Sequence, residues 1–141
     1  MKKYFLIALS LVVLLTVYLF QRVSYAAVMN EVLPEVLQIV NPNTVFIVNK
    51  TVRLILNDLA CIIIIYAIFE KRMYLKASFY LFLVELFVML PVYLIMKLNL
   101  EGTSELSSPL LSQIHRLIVN PLLMFLLMMG FVYQRLTREK P

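Results

Sequence analysis

The chain has 141 residues, of which 62% are hydrophobic and 15% charged, with a net charge of +5 and a mean hydropathy of +0.90. A soluble domain of this length keeps much of its surface in water and cannot bury so much apolar area. A single cysteine excludes an internal disulfide and a cysteine-based zinc site, and two glycines leave no glycine-rich loop for a nucleotide. The basic residues lie at the ends of apolar runs, which favours membrane orientation over nucleic-acid binding.

Four apolar runs follow one another along the chain, over residues 4–20, 45–69, 77–98 and 114–133. Each is close to the ~20 residues that cross ~30 Å of hydrocarbon as a helix. Helices are the only open-ended structure for such runs, because lipid offers backbone groups no partners. We expect the first run to be a retained helix, since it is long for the core of a signal peptide. The sequence therefore predicts an all-α, polytopic integral membrane protein with one four-helix transmembrane domain over residues 1–141.

Lysine and arginine residues predict the direction of the spans. They precede the first run, fill the link between the second and third, and follow the fourth. These residues are Lys2, Lys3, Lys71, Arg72, Lys76, Arg135, Arg138 and Lys140. The two opposite loops carry Glu31, Glu35, Glu101 and Glu105 against Arg22. Because cytoplasmic loops carry the excess of lysine and arginine, both termini are expected in the cytoplasm.

The loops and their flanks carry fewer signals. Residues 25–40 predict an extension of the first helix or a helix in the membrane interface, which Pro34 would bend or restart. Residues 101–109 read as a flexible loop. Tyr25, Tyr74 and Tyr133 are expected to anchor the chain at the membrane interfaces.

Polar residues inside the apolar runs are the most informative feature of the sequence. The second run carries Lys50, Arg53, Asn57 and Asp58, the third carries Glu85, and the fourth opens with His115 and Arg116, with Asn120 one turn later. A charged group at mid-span costs at least ~2.5 kcal/mol, so such groups are expected to turn inward and meet one another. A rise of ~1.5 Å per residue predicts two cations near the outer leaflet above two carboxylates near the middle.

Helical spacing refines this expectation. Asn49, Arg53 and Asn57 are four residues apart and share one face of their helix. Asp58 is rotated by ~100° from Asn57, and Arg53 and Asp58 point about 140° apart. Each of these two charges therefore needs a partner on another helix or another protein. Pro91 predicts a kink in the third span.

No catalytic constellation is expected from these residues. Cys61 lies about 12 Å deeper than Arg53, far from His115 at the outer boundary, so a cysteine–histidine pair is excluded. Ser112 and His115 share a face but lack a carboxylate to orient the histidine. One histidine, one cysteine and few acidic residues predict no metal site and no cofactor. The chain is therefore predicted not to be an enzyme.

Three interpretations of the intramembrane polar residues remain open. They can be internal clamps that fix helix register in a purely structural bundle, in which case Asn57→Leu and Arg116→Leu leave function intact. Some of them can face another membrane protein. Asp58 and Glu85 can also form a proton relay in a small transporter or channel subunit, which requires at least one of them to hold a proton.

Two segments carry a resemblance to a known family. Residues 53–58 read RLILND and lead into 62–69, IIIIYAIF, while residues 115–123 read HRLIVNPLL and are followed by FVYQ at 131–134. Together they resemble the small exosortase-associated membrane proteins of Bacteroidota, which are encoded beside an exosortase, a polytopic membrane transpeptidase. The resemblance covers spans two to four. It implies a non-catalytic accessory subunit in a bacterial inner membrane, with Arg53, Asn57, Asp58, Arg116 and Asn120 shaping the contact with the enzyme.

Overall fold

The computed structural model describes residues 1–100, 102 and 108–139, so Glu101, Glu105 and Lys140 of the charge pattern lie outside the described residues. This part of the chain is helical and contains no strand. The helices are α1 (Lys2–Leu19), α2 (Tyr25–Val32), α3 (Pro42–Phe69), α4 (Arg72–Val84), α5 (Leu90–Leu100), α6 (Pro109–Ile118) and α7 (Leu122–Arg138). A 3₁₀ turn covers Glu35–Leu37, and a π-helical segment, Glu85–Met89, joins α4 to α5.

Among the described residues, three helices are long and apolar enough to cross a membrane: α1, α3 and the continuous helix Arg72–Leu100. The pair α6 and α7 passes the same test together but is bent by 55°, and it makes a fourth span if the pair crosses as one unit. The prediction of an all-helical chain with apolar spans is confirmed. The second, third and fourth predicted runs fall inside α3, the helix Arg72–Leu100 and the bent pair, and the first matches α1 except that Phe20 lies one residue beyond its end.

Contacts define two ends of the bundle. At one end the Lys3 ammonium lies 3.3 Å from the Glu70 carboxylate, which brings the start of α1 beside the end of α3. We call this end the terminal face, because α1 begins there and α7 ends there. At the other end, which we call the loop face, the Arg53 guanidinium meets Gln21 and Asn120.

The longest helix, α3, lies at the centre of the bundle and has sharply defined ends. Asn41 caps its start by accepting a hydrogen bond from the Asn43 amide, and Pro42 occupies the first turn, where its missing N–H costs nothing. The helix stops at Glu70, which takes the left-handed conformation with φ of 52°. Ten of its residues are buried, because α1, α4 and α7 all pack against it.

The segment between α1 and α3 is a separate small unit rather than an extension of α1. Ser24 caps α2 by accepting from the Ala27 amide, which starts a new helix after a break. Pro34 follows α2 and precedes the 3₁₀ turn, as its restricted backbone predicts. The Asn30 side chain closes the segment with two hydrogen bonds to the Ile39 backbone, each 2.8 Å long.

A π turn precedes Pro91, the residue at which the sequence predicts a kink. The Leu90 amide donates to the Glu85 carbonyl five residues earlier, and the helix runs on without a break from Arg72 to Leu100. Proline has no N–H and its ring clashes with the carbonyl one turn back, so a wider turn before Pro91 relieves both problems. The same turn fixes the position of Glu85 at the start of the π segment.

Apolar packing fills the rest of the interior. One cluster, around Leu54, Tyr93 and Met124, joins α3, α5 and α7. A second cluster near the terminal face contains the rings of Phe69, Tyr74 and Phe131. The expectation that Tyr74 is an interface anchor was wrong: its side chain is 3% exposed and belongs to this cluster, whereas Tyr133 is 70% exposed.

Candidate functional site

The candidate site begins with the polar stripe of α3. Asn49, at the end of the stripe nearest the loop face, accepts a hydrogen bond from the Ala26 amide at 3.0 Å and donates to the Ser24 hydroxyl at 3.4 Å. Arg53 and Asn57 follow at intervals of one turn and are both buried. The shared face predicted from their spacing therefore points into the bundle and holds α2 and the α6–α7 pair against α3.

Arg53 is the charged centre of the stripe. Its side chain is 6% exposed, and its Nη2 donates to Asn120 Oδ1 at 3.0 Å and to Gln21 Oε1 at 3.4 Å. Both acceptors are neutral amides, so they satisfy donors of the guanidinium without cancelling its charge. The two partners of Arg53 lie just beyond the ends of α1 and α6, and they are amides and not carboxylates.

Asn57 sits one turn deeper and binds backbone rather than a side chain. Its Nδ2 donates to the carbonyl of Val119 at 3.0 Å. That carbonyl belongs to the break between α6 and α7, where Pro121 has φ −77° and ψ 47° and the Leu122 amide donates to the Asn120 carbonyl at 2.7 Å. This is the geometry of an inverse γ-turn centred on Pro121. The break thus frees a carbonyl that Asn57 satisfies and orients Asn120 towards Arg53.

Asp58 and Glu85 form a separate carboxyl pair about midway along their helices. Both residues are fully buried, and their side chains are neighbours across the two helices. Among the described residues, no other group donates a hydrogen bond to their four carboxyl oxygens. Two carboxylates can only accept, so this contact becomes a hydrogen bond when one of them carries a proton. The buried thiol of Cys61 lies nearby.

The charges therefore meet in a different pattern from the one expected. The two carboxyl groups face each other, and Arg53 faces amides, so the expected meeting of cations with carboxylates was wrong. Distance along α3 and rotation about it separate Arg53 from Asp58, as their spacing predicted. Arg116 is exposed on α6 and is not drawn into the interior network.

The structure assembles a second polar group near the loop face, which contains Lys50 and His115 of the predicted polar residues together with Lys97, which the sequence analysis did not single out. Lys50 Nζ lies 3.0 Å from His115 Nε2, and the His115 ring lies 5.8 Å from the ring of Tyr93. An ammonium can only donate, so Nε2 accepts and the histidine is neutral. Lys97 is also buried, at 2% exposure. Its charge inside an apolar run, four residues after Tyr93, is the signal by which the sequence could have predicted it.

The chemistry available to the site is hydrogen bonding and proton exchange. The described residues hold no group of three histidine, cysteine, aspartate or glutamate side chains that could bind a metal ion. Comparison of the chain with protein-family models, curated proteins and solved structures found no match.

Proposed function

We propose that this chain is a non-catalytic accessory subunit that packs beside a polytopic transpeptidase of the exosortase type in a bacterial inner membrane. It spans the membrane four times, with the α6–α7 pair as one broken span and both termini in the cytoplasm. The loop face then lies on the outer side. The proposal rests on the resemblance of residues 53–58 and 115–123 to exosortase-associated proteins.

One structural observation supports treating these two segments as a single unit. They are more than 50 residues apart in sequence, yet Arg53 bonds to Asn120 and Asn57 bonds to Val119. The two segments that carry the family resemblance therefore contact each other in the fold and form one feature. An accessory role is consistent with this feature, because it orients helices and presents no nucleophile.

The surface next to this unit supplies the contact with the partner. Gln21 is exposed and Asn120 is half-buried, so the network reaches the surface at the loop face, and Arg116 is exposed on the neighbouring α6. Arginine is enriched among residues that dominate interface energies, where truncation of one side chain costs ~2 kcal/mol or more. Arg116 is therefore the residue that we expect to contact the transpeptidase.

The test is co-purification at native expression of the tagged chain with the transpeptidase encoded beside it. We expect Arg116→Ala to reduce recovery of the partner by about tenfold or more. The control is Arg72→Ala, which removes an exposed arginine at the terminal face and should change recovery little. Recovery of the tagged chain without any polytopic membrane partner contradicts the proposal.

A second candidate function rests on the carboxyl pair. Buried, ionisable groups in membrane spans mark proton pathways in pumps and transporters, and π turns are frequent at functional sites. Asp58 and Glu85 combine both features, since Glu85 opens the π segment. The alternative role is a proton-coupled transporter or channel subunit.

Proteoliposomes separate the two candidates. If the chain moves protons, Asp58→Asn and Glu85→Gln abolish a pH-dependent flux while the protein still assembles in the membrane. Cys61→Ala, a change beside the pair that removes no carboxyl group, should preserve the flux. Absence of any flux in the unmodified protein excludes this candidate and leaves the accessory role intact.

A further inference from the structure

A small cavity opens at the terminal face, far from the polar site of α3. Its volume is about 160 Å³, and it lies where the end of α3, the start of α4 and the end of α7 come together. The residues that line it are Phe69, Lys71, Tyr74, Arg135, Arg138 and Glu139.

The charge of the lining is strongly unbalanced. Three cations face one carboxylate, and that carboxylate, Glu139, is already engaged by Arg135 Nε at 3.2 Å. Within the described part of the chain, the Lys71 and Arg138 side chains take part in no hydrogen bond or ion pair. The nearby Glu70 carboxylate is paired with Lys3 and lies outside the lining. The cavity therefore attracts an anion.

The floor of the cavity is rigid and apolar. The Phe69 and Tyr74 rings pack edge-on with centroids 5.1 Å apart, and Phe131 lies 4.5 Å from Tyr74 and 5.7 Å from Phe69. All three side chains are buried. Packed side chains of this kind hold their positions, so the apolar floor of the cavity exists before a ligand arrives.

Volume and surroundings narrow the class of ligand. Pockets for drug-sized molecules occupy ~300–1,000 Å³, so about 160 Å³ suits a small anionic group and not a whole nucleotide. Two arginines present forked donors that match phosphate oxygens. Exposed apolar residues lie on α4 and α7 beside the cavity, where they can contact the acyl chains of a lipid. They are Met73, Tyr133 and Leu136.

We propose that the terminal-face cavity binds a phosphate group through Lys71, Arg135 and Arg138. The group is either the phosphodiester of an anionic phospholipid or free orthophosphate. Basic pockets between membrane helices on the cytoplasmic side bind lipid headgroups by the same chemistry. The exposed Arg135–Glu139 pair contributes little stability, so a phosphate oxygen can replace the carboxylate on Arg135 at small cost.

Native mass spectrometry of the purified full chain in detergent tests the proposal. The protein is titrated separately with phosphatidylglycerol, with phosphatidylcholine and with sodium phosphate. We expect retention of phosphatidylglycerol, and we expect the double variant Lys71→Gln/Arg138→Gln to weaken that retention by about tenfold or more. The matched control is Arg72→Gln/Lys76→Gln, which removes the same charge from exposed positions outside the cavity. Circular dichroism checks that both variants keep their helices.

The outcomes are distinct. Loss of retention in the cavity variant alone, with no competition by sodium phosphate, assigns the site to phospholipid. Competition by millimolar sodium phosphate assigns it to orthophosphate. Equal loss in the cavity variant and in the control overturns the proposal, because general surface charge then explains the binding. Equal retention of phosphatidylglycerol by the unmodified protein and the cavity variant overturns it as well.

Discussion

The amide of Asn57 replaces a helical donor for the Val119 carbonyl at the point where α6 ends. A carbonyl at a helix end needs such a partner, because no backbone N–H follows it in register. Val119 is fully buried, so water does not take over this role. The stability of the α6–α7 break therefore depends on one side chain from a different helix.

We expect Asn57→Leu to lower the free energy of unfolding by ~0.5–2 kcal/mol, since the Val119 carbonyl loses its donor and hydrogen bonds between membrane helices are of modest strength. Unfolding in mixed micelles with increasing sodium dodecyl sulfate measures the change. Asn43→Ala, at an exposed position at the start of the same helix, should change it little. A variant more stable than the unmodified protein would show that the polar clamp is dispensable.

The contact between Asp58 and Glu85 predicts which of two substitutions of Asp58 lowers the free energy of unfolding more. Asp58→Asn keeps a contact with Glu85, because the new amide donates to the carboxylate without a shared proton, and we expect stability to be equal or higher. Asp58→Leu leaves Glu85 buried without a donor and should cost ~1–3 kcal/mol. The same detergent titration compares the two variants. Equal losses in both would mean that the carboxyl groups do not bond to each other.

Among the elements, the break between α6 and α7 has the largest effect on the site. It bends the pair by 55°, frees the Val119 carbonyl and brings Asn120 to Arg53. Proline at position 121 lacks the N–H that would continue the helix and clashes with the carbonyl one turn back. A local constraint of the backbone thus builds a contact between distant parts of the chain.

We expect Pro121→Ala to let α6 run on into α7. Spin labels at Leu110 and Leu136, both exposed, report the change when they are attached to cysteines in a Cys61→Ala background. The distance between labels should increase by roughly 4 Å, the difference between a straight and a 55° bent helix at ~1.5 Å rise per residue. An unchanged distance would mean that the contacts of Asn57 and Arg53 hold the bend without the proline.

The sequence predicts features that depend on spacing within one helix better than features that depend on contacts between helices. The apolar runs and the shared face of Asn49, Arg53 and Asn57 follow from helical periodicity alone, and the structure agrees with both. The pairing of Asp58 with Glu85 depends on which helices are neighbours, and spacing within one helix does not contain that information. The resemblance rests on sequence and stays a hypothesis until the partner is tested.

At the scale of the whole molecule, charge asymmetry predicts the direction of insertion. The terminal face carries Lys3, Lys71 and Arg138, together with further basic residues of the described chain. Alkaline phosphatase fused after residue 138 should be inactive, and fused after residue 102 it should be active, since the enzyme works only outside the cytoplasm. Green fluorescent protein at the same two positions provides the opposite readout. Activity of phosphatase at the C-terminal position would reverse the proposed topology.

The first helix is nearly free of the bundle's interior, because only Ser10 and Val17 of α1 are buried and the helix packs mainly along α3. During synthesis α1 leaves the ribosome before α3. Its apolar flanks suit lipid on almost every side, so it can wait in the bilayer without a companion. The helices that carry charged and amide side chains need partners for these groups, so they must insert together with the neighbouring helices that supply them. The order of the helices along the chain therefore matches the expected order of insertion, in which the helix most compatible with lipid enters the bilayer first.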